Sequence, residues 1–136
     1  MSKLYETLEK IDKLKQHKRK VDQLKEAGDF TLKTIIQGTY TKSIDFKMPP
    51  GSPPLEVDDE KDDIEIVPRE LNEMIKFCMN FKYKQWQRET KFMNFLKRIS
   101  PNDAKVLVAM KDKDLSTLFP TFTEEFIKEV FPQYVK

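Results

Sequence analysis

Midway along the chain, residues 48–63 read Met-Pro-Pro-Gly-Ser-Pro-Pro-Leu-Glu-Val-Asp-Asp-Glu-Lys-Asp-Asp. No helix or central strand can run through that stretch. Four of the eight prolines fall within six residues, and each proline removes a backbone donor and fixes φ. Pro49-Pro50 and Pro53-Pro54 favour polyproline II, and Gly51-Ser52 allows a turn between them. Seven acids against one Lys follow between positions 56 and 65, a composition that stays solvated. The chain is therefore expected to form one domain, 1–136, in three parts. An N-terminal helical part, 1–48, and a C-terminal helical part, 68–136, are joined by an extended proline-rich acidic connector, 49–67.

On either side of the connector the apolar residues step by three or four. Leu4, Leu8, Ile11 and Leu14 share one helical face; Val21 and Leu24 resume it after an interruption at 17–20. Residues 2–27 thus make one long helix or a hairpin of two. Asp29 is placed to cap the next helix, with Gly28 before it and Gly38 at its expected end. Residues 39–48 alternate and read as an extended segment lying on the helices. Pro68 suits a first helical turn, and Leu71, Met74, Ile75, Cys78 and Met79 form the buried side of that helix. A helix over 83–99 follows. Ser100-Pro101-Asn102-Asp103 is a turn with a cap, and 104–110 is an almost wholly apolar helix expected at the centre of the core. Residues 111–120 read as a connection. Thr123 opens the last helix, which Pro132 ends. The fold class is all-α, with six or seven short helices in two hairpin-like groups. A shift of 72 residues places Val21, Leu24, Lys25, Lys33, Ile35 and Ile36 on Met93, Leu96, Lys97, Lys105, Leu107 and Val108, a faint internal repeat of helical hairpins.

Composition narrows the function classes. Charged residues make up 35% of the 136 and the net charge is +2, so any affinity for polyanions must come from local patches. The single Cys78 permits no internal disulfide and no Cys-based zinc site. No apolar run reaches membrane-spanning length. The N-terminus lacks the apolar stretch of a signal peptide, and the chain reads as soluble and intracellular. His17, the one histidine, has no convergent partner nearby in sequence and reads as a solvated side chain. Cys78 lies on an apolar helix face and reads as structural. The acids at 58–63 lack the spacing of a calcium loop. The three glycines are scattered, so no phosphate-cradling loop exists. No catalytic, cofactor-binding or metal-binding residue is assigned, and no cofactor is expected.

Two clusters remain as candidate ligand-binding residues. The first is Lys82, Lys84, Arg88 and Lys91, interleaved with Tyr83 and Trp86. Cations beside stacking aromatics are what single-stranded nucleic acid requires. Lys84, Arg88 and Lys91 share a helix face, whereas Trp86 lies about 160° from Arg88 at 100° per residue. Trp86 is accordingly expected in the core, leaving an electrostatic strip without base stacking. The second cluster is Lys13, Lys18, Arg19 and Lys20, whose bland reading is a charged helix face.

The element Met48-Pro49-Pro50-Gly51-Ser52-Pro53-Pro54, preceded by Ile44-Asp45-Phe46-Lys47, carries a resemblance. So do the stretch Ser100-Pro101-Asn102-Asp103-Ala104-Lys105-Val106-Leu107-Val108-Ala109-Met110-Lys111-Asp112-Lys113 and the segment Phe126-Ile127-Lys128-Glu129-Val130-Phe131-Pro132. Together they resemble a group of small proteins of T4-like, marine-type tailed phages. The resemblance implies a phage origin and the host cytoplasm during infection, with the virion as an alternative location. It implies no activity and no catalytic residues. The expected function is a non-enzymatic phage accessory protein that binds another macromolecule, first of all a host or phage protein. The alternatives are a nucleic-acid-binding accessory factor of replication or transcription, and a minor virion component. No membrane partner is expected, and the oligomeric state is left open.

Overall fold

The computed structural model describes residues 3–53 and 64–135. Among these residues there are eight α-helices, a closing 3₁₀ turn and no strand. They are α1 Lys3–Asp12, α2 His17–Ala27, α3 Phe30–Tyr40, α4 Pro68–Cys78, α5 Gln85–Lys97, α6 Pro101–Lys111, α7 Leu115–Leu118 and α8 Glu124–Val130, with the 3₁₀ turn at Pro132–Tyr134. The fold is all-α. The eighth helix is α7, a single turn within the stretch read as a connection; four residues are too short to show a helical period. The acidic part of the connector, 54–63, lies outside the described residues.

The chain breaks between α1 and α2 at 13–16, so the described residues 3–27 form a hairpin. Leu4, Leu8 and Ile11 are buried from α1 and Leu24 from α2. The first turn of α2 is wholly basic, against the helix dipole, and Gln16 gives it no side-chain cap. Tertiary partners hold that end instead. Lys20 Nζ donates to Thr121 Oγ1 at 2.7 Å, and His17 Nε2 lies 2.6 Å from Glu129 Oε2 of α8.

Asp29 caps α3, accepting from the Leu32 amide at 2.9 Å. Gly38 does not end that helix. A Cβ there would stand 2.7 Å from Met110 Sδ, so the glycine lets α3 approach α6 closely. At the far end of α3, Lys113 Nζ donates to the carbonyls of Gly38 and Thr41 at 3.0 and 2.8 Å. The Tyr40 hydroxyl donates to the Phe122 carbonyl.

Helix α6 is central, as its apolar run predicts, and packs against α1, α3, α5 and α7. Ser100, fully buried, caps it by accepting from the Asp103 amide at 3.2 Å. Asp103 in turn accepts from the Tyr5 amide at 3.1 Å and so ties α1 to α6. The hairpins α1–α2 and α4–α5 interleave across the sequence halves: α3 lies on α6 and α4, and α2 lies on α8. Leu8, Leu24, Ile35, Phe95, Leu107, Phe122 and Ile127 all belong to one core.

After α3 the chain crosses the helices in extended form, with Phe46 buried. The proline element is then pinned. Lys111, whose side chain is 3% exposed, donates from Nζ to the carbonyls of Pro49 and Gly51 at 2.6 and 3.0 Å and to Asp112 Oδ1 at 2.6 Å. The Gly51 amide donates to Asp112 Oδ2 at 2.9 Å. A strap over 48–53 results, held at the C-terminal end of α6 and facing α5.

Candidate functional site

Helix α5 sets the site, and its seating reverses the expectation for two residues. Its buried stripe is Arg88, Phe92, Phe95 and Leu96. Arg88 is only 6% exposed and Trp86 is 61% exposed. The 160° between them is as the helix period requires; the inward member is the arginine. The reason lies in backbone acceptors. Arg88 Nη1 donates to the Phe46 carbonyl at 2.9 Å and to the Cys78 carbonyl at 3.4 Å, closing the end of α4 and the extended segment onto α5. A tryptophan cannot serve two buried carbonyls, and leaving them unpaired costs about 1–3 kcal/mol each. The cationic strip Lys84–Arg88–Lys91 is therefore broken in the middle: Lys82, Lys84 and Lys91 are exposed and Arg88 is not.

All six residues from Phe81 to Trp86 are exposed. Phe81, Tyr83 and Trp86 are three of the six large hydrophobic side chains most exposed among the described residues. Their surroundings differ. Tyr83 stacks on Phe77 at 4.1 Å between ring centroids, and Lys91 Nζ lies 5.6 Å from the Phe77 ring. Phe81 receives two cations, Arg88 Cζ at 4.8 Å and Lys47 Nζ at 4.9 Å from its centroid, within the range of cation–π attraction. Trp86 stands instead at the mouth of a groove of about 360 Å³, between α5 and the strap. Met48, Pro49, Pro50 and Pro53 form one wall, Trp86, Glu89, Thr90 and Met93 the other. The groove is mostly apolar, and Lys111 at its edge is already engaged with the strap.

Cys78 is buried behind this corner, its thiol 3.6 Å from the Arg88 carbonyl and from Met74 Sδ. Burial pushes the thiol up to about 12, against the smaller opposing pull of Arg88 and Lys91. A thiol so placed stays protonated and unreactive at neutral pH.

The second cluster has compensation within the fold. Lys13 pairs with Glu9 at 3.3 Å, and Lys20 is tied to Thr121. Lys18 and Arg19 are exposed. They begin the helix that packs on α8, where His17 meets Glu129 and lies edge-on to Phe126. The two predicted clusters thus do not form one site. The groove was missed in sequence, although the proline element and Trp86 were both singled out; their meeting depends on the Lys111 pin. Among the described residues no three His, Cys, Asp or Glu side chains converge on a metal-sized site. No described helix is long and apolar enough to cross a membrane.

Residues 7–117 match the family model of a family of unknown function, DUF6433. No curated protein and no solved structure matches the chain. Both cationic clusters and the strap fall inside the matched span. With more than half of its length covered, the chain belongs to DUF6433, a family of unknown function.

Proposed function

We propose that the chain is a non-enzymatic binding protein that recruits a second protein through the corner between α4 and α5. The observation that carries this reading is Trp86, 61% exposed over an apolar groove. An exposed indole loses favourable burial, whereas Trp and Tyr dominate the energy of protein interfaces when a partner covers them. The setting implied by the resemblance makes it an accessory protein of a tailed phage acting in the host cytoplasm. Tyr83 and Trp86 standing outward beside Lys82 and Lys84 favour a second reading, binding of single-stranded nucleic acid by stacking and phosphate contact.

A photo-crosslinking side chain at position 86, compared with one at the exposed Phe30 of α3, separates these readings in cells producing the protein. Adducts to one protein from position 86 but not from position 30 support recruitment of a protein. Nucleotide adducts move the second reading ahead. Equal, unspecific labelling from both positions removes the corner as a docking face. A virion role predicts the chain in purified particles by mass spectrometry.

A further inference from the structure

We infer that the partner docks through an acid-bearing segment, setting an apolar side chain in the groove under Trp86 and carboxylates on Lys82 and Lys84. The inference rests on the reading of the corner as a protein-docking face and names the chemistry of what binds there.

Charge supports it first. Residues 76–91 hold five cations, Lys76, Lys82, Lys84, Arg88 and Lys91, against the single acid Glu89. Lys47 joins them over the Phe81 ring. None of these six cations has an ion-pair partner among the described residues, whereas in the 13–20 cluster Lys13 pairs with Glu9 and His17 meets Glu129.

Arg88 adds a second, independent observation. It is a buried guanidinium that, among the described residues, meets only backbone carbonyls and an aromatic ring, and its Nε has no acceptor there. A charge in a low-dielectric surrounding is screened less than one in water, so its field reaches the surface at Phe81. An anionic partner gains from that field, and no acid among the described residues pairs with it.

The groove decides between a peptide and a nucleic acid. Three prolines on one wall offer no backbone donors, Lys111 is spent on the strap, and Glu89 on the other wall repels phosphate. For base stacking, one face of Tyr83 is taken by Phe77 and the Phe81 ring already carries two cations. Of the three, only Trp86 has a ring without such a neighbour among the described residues. An apolar side chain flanked by carboxylates fits both the groove and the rim; a polyphosphate chain fits only the rim.

The test is selection of a random 12-residue peptide library on the immobilised full-length protein, with counter-selection on Trp86→Ala. Enriched peptides are resynthesised with a fluorophore and titrated by anisotropy against wild type, Trp86→Ala and the double variant Lys82→Glu/Lys84→Glu, at low and high salt. All three substitutions are at exposed positions, and circular dichroism checks that the variants are folded. Enriched peptides should carry Asp or Glu around Leu, Phe or Trp. The lysine reversal should weaken them at least about tenfold at low salt and flatten the salt dependence. Trp86→Ala should weaken them about tenfold or more at both salts. A 12-nucleotide oligothymidylate should not compete. Peptides that depend on Trp86 but ignore the lysines overturn the acidic partner and leave the docking face standing. Binding indifferent to Trp86, or no enrichment at all, overturns both. Competition by the oligonucleotide with strong Trp86 quenching assigns the corner to nucleic acid.

Discussion

Arg88 and Trp86 sit on the same turns of α5 and exchange the places that arginine and tryptophan usually take. The burial of Arg88 serves the Phe46 and Cys78 carbonyls, so Arg88→Met should cost about 2–6 kcal/mol in denaturant unfolding, about 1–3 kcal/mol for each of the two orphaned acceptors. Trp86→Ala should change stability by no more than about 0.5 kcal/mol, as at other exposed positions. Helical spacing made the 160° between the two legible. Which side turns inward was not legible, because the acceptors that draw Arg88 in come from 42 and 10 residues away in sequence. Cys78 gives a pH dependence. Its folded thiol is raised to about 12 from an ordinary 9.0 by burial. Above pH 9 the unfolded thiol ionises first and the unfolded state binds fewer protons, so stability falls. This contribution is fully present below about pH 9 and is lost as pH rises towards 12. Burial also raises the Tyr40 hydroxyl, which acts in the same direction above pH 10, while burial lowers Lys113 and opposes them. Cys78→Ala should flatten the decline in melting temperature between pH 9 and 12; an unchanged slope would show that the thiol is not the group responsible.

Among the elements, α6 was the most legible, because an apolar run behind a Ser-Pro cap can only be a buried helix. Leu107, fully buried on it, should cost about 2–5 kcal/mol on truncation to alanine. A loss below about 1 kcal/mol would mean that α6 does not lie at the centre. The strap was half legible. Its prolines announced extended backbone, but its attachment rests on one buried lysine that looked like an ordinary surface residue in Val-Ala-Met-Lys-Asp-Lys. Lys111→Met leaves the Pro49 and Gly51 carbonyls without their donor and should cost about 1–3 kcal/mol. It should also remove one wall of the groove, so peptide binding should fall even where the variant remains folded; binding at wild-type strength would show that the strap is not part of the docking face.

For the whole molecule, the 72-residue shift brings α2 and α3 close to the bounds of α5 and α6, and burial follows it. Val21 and Met93 are half-buried, Leu24 and Leu96 buried, Lys25 and Lys97 exposed, Lys33 and Lys105 exposed, Ile35 and Leu107 buried; the sixth pair departs, Ile36 being buried and Val108 half-buried. The similar helices α3 and α6 also pack on each other through Gly38 and Met110. The all-α class followed from spacing alone. The interleaving of the halves did not, because amphipathic helices specify a buried face and not a partner. What the fold leaves outside is the corner from Phe81 to Trp86, with aromatics that the core did not take and cations that no described acid neutralises. Trp86 is the only tryptophan in the chain, so its fluorescence reports on that corner alone. In the free protein its emission should be that of an indole in water, and acrylamide should quench it nearly as efficiently as a free tryptophan derivative. Blue-shifted emission protected from acrylamide would mean that Trp86 is buried in the free protein, and the docking face built on it would fall.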